Sequence, residues 1–258
     1  MNAATPAGDG HDPRESRLAV EHPRAYLALH VLGGIVFTAL LLWAFAALAD
    51  AVFDNGRFTR ADVGLSAWIQ QHDTEYGESI FAVISFLGAP VLVALVAVVS
   101  LYFAWRRDFV RAISLASATA SGAALNMVLK HLFHRGRPEF ATEFITHATW
   151  SFPSGHAMES MVGYGMLAVL LFDVTRHAGR RRLLVGTAVL LILMIGVSRV
   201  YLGVHYLSDV TAGWLAGGAW LYVCATAYRF ARWRLHPVTQ DTETHAAARR
   251  VSVAPPTG

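Results

Sequence analysis

The chain has 258 residues, 55% of them hydrophobic and only 15% charged, with a mean hydropathy of +0.42. This excludes an ordinary soluble globule and points to a protein of the bilayer. A formal net charge of +3 fits basic residues flanking membrane spans on the cytoplasmic side better than a nucleic-acid surface, so no nucleic-acid partner is expected. The single cysteine, Cys224, lies in an apolar run and supports neither a disulfide framework nor a cysteine metal site.

Residues 1–24 are rich in Ala, Pro, Gly, Asp and Arg without periodicity and read as a disordered cytoplasmic tail. Residues 233–258 read the same way, leaving 25–232 as one membrane domain. Six apolar stretches occupy that domain, at about 25–49, 79–104, 109–131, 155–173, 183–203 and 207–230. Most reach the ~20 residues that a helix needs to cross the hydrocarbon core. The fourth is short, but Pro153 is placed to start a helix there. Between the first two stretches lies an acidic segment, 50–78. In it, Thr59 is expected to cap a short helix with Leu65, Trp68 and Ile69 on one face. That helix either lies at the outer headgroup level beside a lipid access route or packs on the spans. The small-residue run from Ser114 to Ala124 predicts close helix packing.

The expected architecture is therefore an all-α integral-membrane bundle of six transmembrane helices. With the N-terminus inside, fifteen of the 21 Lys and Arg residues fall on inner segments, which places both termini in the cytoplasm. The other six are Arg57, Arg60, Lys130, Arg135, Arg137 and Arg199. Arg135 reads as an interface charge. Ala47-Leu48-Ala49 before Asp50 resembles a signal-peptidase site. The preceding apolar run of about 25 residues exceeds the ~7–15 of a signal peptide, so an uncleaved first helix is expected.

Three polar blocks stand at the ends of these apolar stretches: Lys130 with Arg137-Pro138, then Pro153-Ser154-Gly155-His156, then Ser198-Arg199 with His205 and Asp209. Charge in such places is costly unless it binds something. Pro153 is expected to put Ser154 and Gly155 in the first turn of the fourth helix, where free N–H groups and the helix dipole make an anion site. His156 then stands beside the anion, able to protonate a departing oxygen. The i,i+4 spacing of His205 and Asp209 on a helix stacks both on one face, so that Asp209 fixes the imidazole and frees its other nitrogen to attack phosphorus. Arg199, Lys130 and Arg137 supply cations for phosphate oxygens. Asn126 lies one turn before Lys130, and Glu159 one turn after His156 places a carboxylate that either tunes His156, lines lipid access or bonds between helices.

The pattern Lys-x6-Arg-Pro, Pro-Ser-Gly-His, Ser-Arg-x5-His-x3-Asp resembles the signature of the type 2 phosphatidate phosphatase superfamily of integral-membrane lipid phosphatases, and all eleven signature positions match. The resemblance implies His205 as nucleophile, Asp209 as its orienting partner and His156 as general acid. It also implies a phosphate cradle of Lys130, Arg137, Arg199, Ser154 and the Gly155 amide, with no metal and no cofactor. The expected substrate is a lipid phosphomonoester or pyrophosphate such as undecaprenyl pyrophosphate, phosphatidate or phosphatidylglycerol phosphate. The site is expected at the outer face of a bacterial cytoplasmic membrane. A lipid phosphotransferase using the same phosphohistidine, or a non-catalytic membrane scaffold or transporter, are the alternatives. A vanadium haloperoxidase, whose site is similar, is opposed by the six apolar spans. Oligomeric state is not legible.

Overall fold

The computed structural model describes residues 23–54, 56–138 and 150–235, with side chains from residue 32 onward. The tails expected at 1–24 and 233–258 lie almost wholly outside the described residues. Eight helices occur among those residues: α1 (Pro23–Phe53), α2 (Arg57–Gln71), α3 (Glu75–Phe86), α4 (Pro90–Trp105), α5 (Phe109–Phe133), α6 (Gly155–Val174), α7 (Ala178–Tyr201) and α8 (Leu207–Leu235). Six helical segments are long and apolar enough to cross a membrane, α3 and α4 together forming the second. Large apolar side chains such as Ile35, Trp43, Val93, Leu101, Ile113 and Leu190 cover the outside of the bundle, as a lipid-facing surface requires.

The second span is not one uninterrupted helix as its hydropathy suggests. Pro90 opens α4 and, having no N–H and disfavouring helix at the residue before it, breaks the run at Leu87–Ala89. Tyr164 Oη donates to the freed Leu87 carbonyl at 2.7 Å. Gly88 occupies the break because a Cβ there would come within 2.6 Å of Ile195 Cγ2 and 3.0 Å of His156 Cδ2. The interruption thus lets the backbone of the second span approach the fourth and fifth.

Helix α6 is the centre of the bundle, packed by α4, α5, α7 and α8. Its close approach to α8 follows from Gly213 and Gly217, where a Cβ would stand 2.7 Å from the Ser154 carbonyl oxygen and 2.9 Å from that of Met158. In the small-residue run of α5, Ala118 and Gly122 are buried, and Gly122 faces Val162 of α6. Phe45 and Phe53 of α1, Phe133 of α5 and Phe152 form an aromatic cluster with ring centroids 5.1–5.8 Å apart. That cluster anchors the segment leading into α6.

Helix α2 differs from expectation in its cap. Its N-cap is Gly56, and Thr59 sits inside the helix. The Thr59 hydroxyl donates instead to the Ala51 and Val52 carbonyls at the end of α1, which lack intrahelical partners. Leu65 and Trp68 are exposed, Trp68 at 58%, whereas the side turned to the protein carries Asp62 and Ser66.

Candidate active site

Helix α6 starts at Gly155, with Ser154 as N-cap and Pro153 just outside. The Ser154 N–H donates to the Asp209 carbonyl at 2.9 Å, and its own carbonyl accepts from Met158 N–H at 3.0 Å. Its side chain does not cap the helix. The buried Ser154 Oγ and the buried Arg199 Nε find no hydrogen-bond partner among the described residues. Buried polar atoms are normally paired; two donors left over at a helix N-terminus suit an oxyanion.

The other expected residues gather there. His156 interacts electrostatically with Arg199, His205, Arg137 and Lys130. Lys130 does so with Arg137, Asp209, Glu159 and Arg199. Lys130 lies in the last turn of α5, buried, with Nζ donating to the Trp150 carbonyl. Arg137 Nη1 donates to the Val204 carbonyl at 3.1 Å, beside His205. Burial holds the Arg137 guanidinium below its ordinary pKa, while the Asp209 carboxylate acts in the opposite sense. Arg199 Nη1 donates to Ser85 Oγ at 2.5 Å, linking the cation to the last turn of α3. Gly155 abuts Asn126, whose Nδ2 lies 3.4 Å from the Pro153 carbonyl. Glu159 interacts electrostatically with Lys130 and itself lines an apolar cavity of about 370 Å³ whose other walls come from α4 and α5, including Leu92, Val96 and Thr119.

His205 and Asp209 do not share a helix face. His205 lies in the turn before α8, and Asp209 is in the first turn of that helix. They meet because the Asp209 carboxylate reaches back: Oδ2 accepts from the Tyr206 N–H at 3.0 Å, as an acidic residue does in a capping box. The same oxygen lies 3.4 Å from His205 Nδ1. The turn itself is a Schellman motif closing α7. Gly203 has φ +64°, its N–H donates to the Val200 carbonyl at 3.0 Å, and the Val204 N–H donates to the Arg199 carbonyl at 3.2 Å. The His205 N–H shares the Arg199 carbonyl at 3.2 Å, so the cation and the imidazole hang on one backbone group.

Gly203 is therefore required twice over. A side chain would be strained at this φ and its Cβ would meet Gln70 at 2.8 Å. Gly203→Ala is expected to destabilise the protein by about 1–2 kcal/mol and to lower activity further than that, through displacement of His205. Thermal unfolding and initial rates in the same detergent check both.

Burial lowers the His205 pKa to about 4, overriding the opposite influence of Asp209. The imidazole is 2% exposed and neutral at physiological pH, as the expected nucleophilic role requires.

Residues that the motif spacing missed complete the site. Arg135 is not an interface charge: it is 9% exposed, and its Nη1 donates to Asp209 Oδ1 and Ser208 Oγ, each at 2.6 Å. Its Nη2 donates to Asp62 Oδ2 at 3.0 Å. Ser151 Oγ donates to Asp209 Oδ2 at 2.5 Å. The proximity of Arg135 to Arg137 was a signal in the sequence; nothing marked Asp62 among the acids of its loop. Among the described residues no group of three or more His, Cys, Asp or Glu side chains is arranged to hold a metal ion.

Comparison with known proteins bears on the family and the fold. Residues 111–233 match the PAP2 superfamily model. Phosphatidylglycerophosphatase B of Bacillus subtilis is 36% identical over 97 residues, a match spanning 36% of this chain and 46% of that relative's length. The fold is similar to the crystal structure of a transmembrane PAP2-type phosphatidylglycerolphosphate phosphatase from Bacillus subtilis, with a TM-score of 0.67 at 26% identity over 74% of this chain and 96% of the other. Aquifex aeolicus LpxE overlaps less well, with a TM-score of 0.47 at 24% identity over 64% and 93% of the two chains. The matched segment from Arg111 to Trp233 holds every signature residue and is similar to the PAP2 superfamily.

Proposed function

We propose that this chain is a lipid phosphatase that hydrolyses a lipid phosphomonoester or pyrophosphate through a phosphohistidine on His205. The observation that carries this reading is the convergence of two histidines, three cations and two unpartnered buried donors at the N-terminus of α6. With Nδ1 turned to Asp209, His205 Nε2 attacks phosphorus while the P–O bond to the leaving group breaks. His156 gives that oxygen its proton. Lys130, Arg137, Arg199, Ser154 Oγ and the Gly155 N–H hold the three equatorial oxygens. Water then attacks the phosphohistidine, His156 takes the proton, the P–N bond breaks and inorganic phosphate leaves with both histidines restored.

The charge distribution along the sequence supports cytoplasmic termini and a site at the outer face of the membrane, open to lipids whose headgroup faces outward. The apolar cavity beside Glu159 is suited to acyl chains. Phosphate release from a panel of mono- and pyrophosphate lipids in detergent tests the function. Release is expected to survive EDTA and to fall with vanadate. Loss of activity on EDTA treatment counts against the metal-free mechanism. Phosphate moving to added acceptor lipids instead of water would make the protein a transferase.

A further inference from the structure

Asp209 is wholly buried, yet its bond to His205 is the longest of those it makes. Oδ2 accepts from Ser151 Oγ at 2.5 Å and the Tyr206 N–H at 3.0 Å, with His205 Nδ1 at 3.4 Å. Its other oxygen is held by one group outside the signature, Arg135 Nη1, at 2.6 Å. An aspartate carboxylate turns on a broad, roughly two-fold torsion. Fixing Oδ1 therefore decides which way Oδ2 points.

Arg135 is itself held on every side. Its guanidinium lies over the Tyr206 ring, 4.2 Å from the centroid, and donates to Ser208 Oγ. It also forms an ion pair with Asp62 of α2 at 3.0 Å. Asp62 accepts in turn from the Ser208 N–H at 3.2 Å and from the Ser208 hydroxyl. The Arg135 carbonyl takes the Ser151 N–H at 2.8 Å, so one residue steadies two of the groups around Asp209. Two buried carboxylates share one guanidinium whose planar fork reaches both, a geometry that a lysine cannot reproduce.

We propose that Arg135, locked by Asp62 of the outer-loop helix α2, is a positioning residue that aims the Asp209 carboxylate at His205 and so sets the rate of phosphoryl transfer. Neither Arg135 nor Asp62 belongs to the phosphate cradle; they act through Asp209. The inference rests on the reading of His205 as the nucleophile. It also gives α2 a mechanistic role, since this helix supplies the carboxylate that orients the guanidinium.

The test uses the full chain in detergent with a lipid phosphate substrate. Arg135→Gln is expected to lower kcat by tenfold or more with KM changed less than about threefold, because cradle contacts stay in place. Asp62→Asn, nearly isosteric, is expected to show the same kcat-only signature at two- to tenfold, and it carries the test if Arg135→Gln does not fold. In an Asp209→Asn background, Arg135→Gln is expected to add less than about threefold, since two residues acting in series are not additive. Unchanged kcat in both single variants, or a fully multiplicative loss in the double variant, overturns the proposal. A histidine-labelled ¹⁵N spectrum needs no turnover: His205 is expected in one tautomer in the parent and in exchange between two in Arg135→Gln. Identical spectra would count against positioning. Failure of the parent to release phosphate from any lipid would instead refute the phosphatase reading, leaving the tautomer measurement to decide the role of Arg135.

Discussion

Replacing His205 by alanine is expected to cut phosphate release by at least about 10⁴-fold, because it removes the proposed nucleophile and with it the proposed two-step route through a covalent intermediate. The fold should survive. The turn carrying His205 is closed by backbone bonds from Gly203 and Val204, and Asp209 keeps its bonds to Arg135, Ser151 and the Tyr206 N–H. A monodisperse detergent peak with parental helicity, together with lost turnover, is the expected pair of results. Full activity in this variant would refute the assignment of His205.

The same residue predicts the acid limb of the pH profile. With its folded pKa at about 4, His205 is neutral and nucleophilic above that value and charged below it, so kcat/KM is expected to fall with a midpoint near 4. Stability moves in the same direction. Between the ordinary histidine value of about 6.5 and 4, the unfolded chain binds a proton that the folded chain does not, so stability declines as pH falls through this window. An acid limb centred near 6.5 would mean that the imidazole is not buried during turnover.

Asp209→Asn is the second large effect, expected at about 10³–10⁴-fold in kcat with the protein still folded. The amide oxygen can still accept from Arg135 at the Oδ1 position. The amide nitrogen, however, would then occupy the Oδ2 position, facing the Ser151 hydroxyl, the Tyr206 N–H and His205 Nδ1. A donor there opposes the Tyr206 N–H and pushes the imidazole toward the tautomer whose Nε2 is protonated and cannot attack. The loss should appear in kcat, with a lower unfolding temperature, since a buried carboxylate hub becomes partly unsatisfied. A variant with parental kcat would show that the imidazole is oriented by other groups.

Both effects depend on a site whose parts differ in how far the sequence discloses them. The spans were legible because the bilayer imposes length and apolarity on any helix that crosses it. Thus α5, α6 and α8 begin at 109, 155 and 207, where their apolar runs begin. Hydropathy averaged over the second span hid its interruption, although Pro90 stood in plain view. Thr59 read as a cap because its side chain can serve as one, but the orphan carbonyls of α1 compete for it.

The sequence by itself determined six apolar spans, a signature similar to that of the PAP2 superfamily, and which polar residues stand at the ends of the spans. Composition, hydropathy and short motifs are local properties of the chain. Only the tertiary structure decided how those residues meet. It placed His205 in a Schellman turn outside the helix that carries Asp209. It closed the site with Arg135 and Asp62, 73 residues apart in the chain. The reason is physical: a buried carboxylate needs several donors at once, and which segments deliver them depends on how the helices pack, a relation that no window of sequence contains.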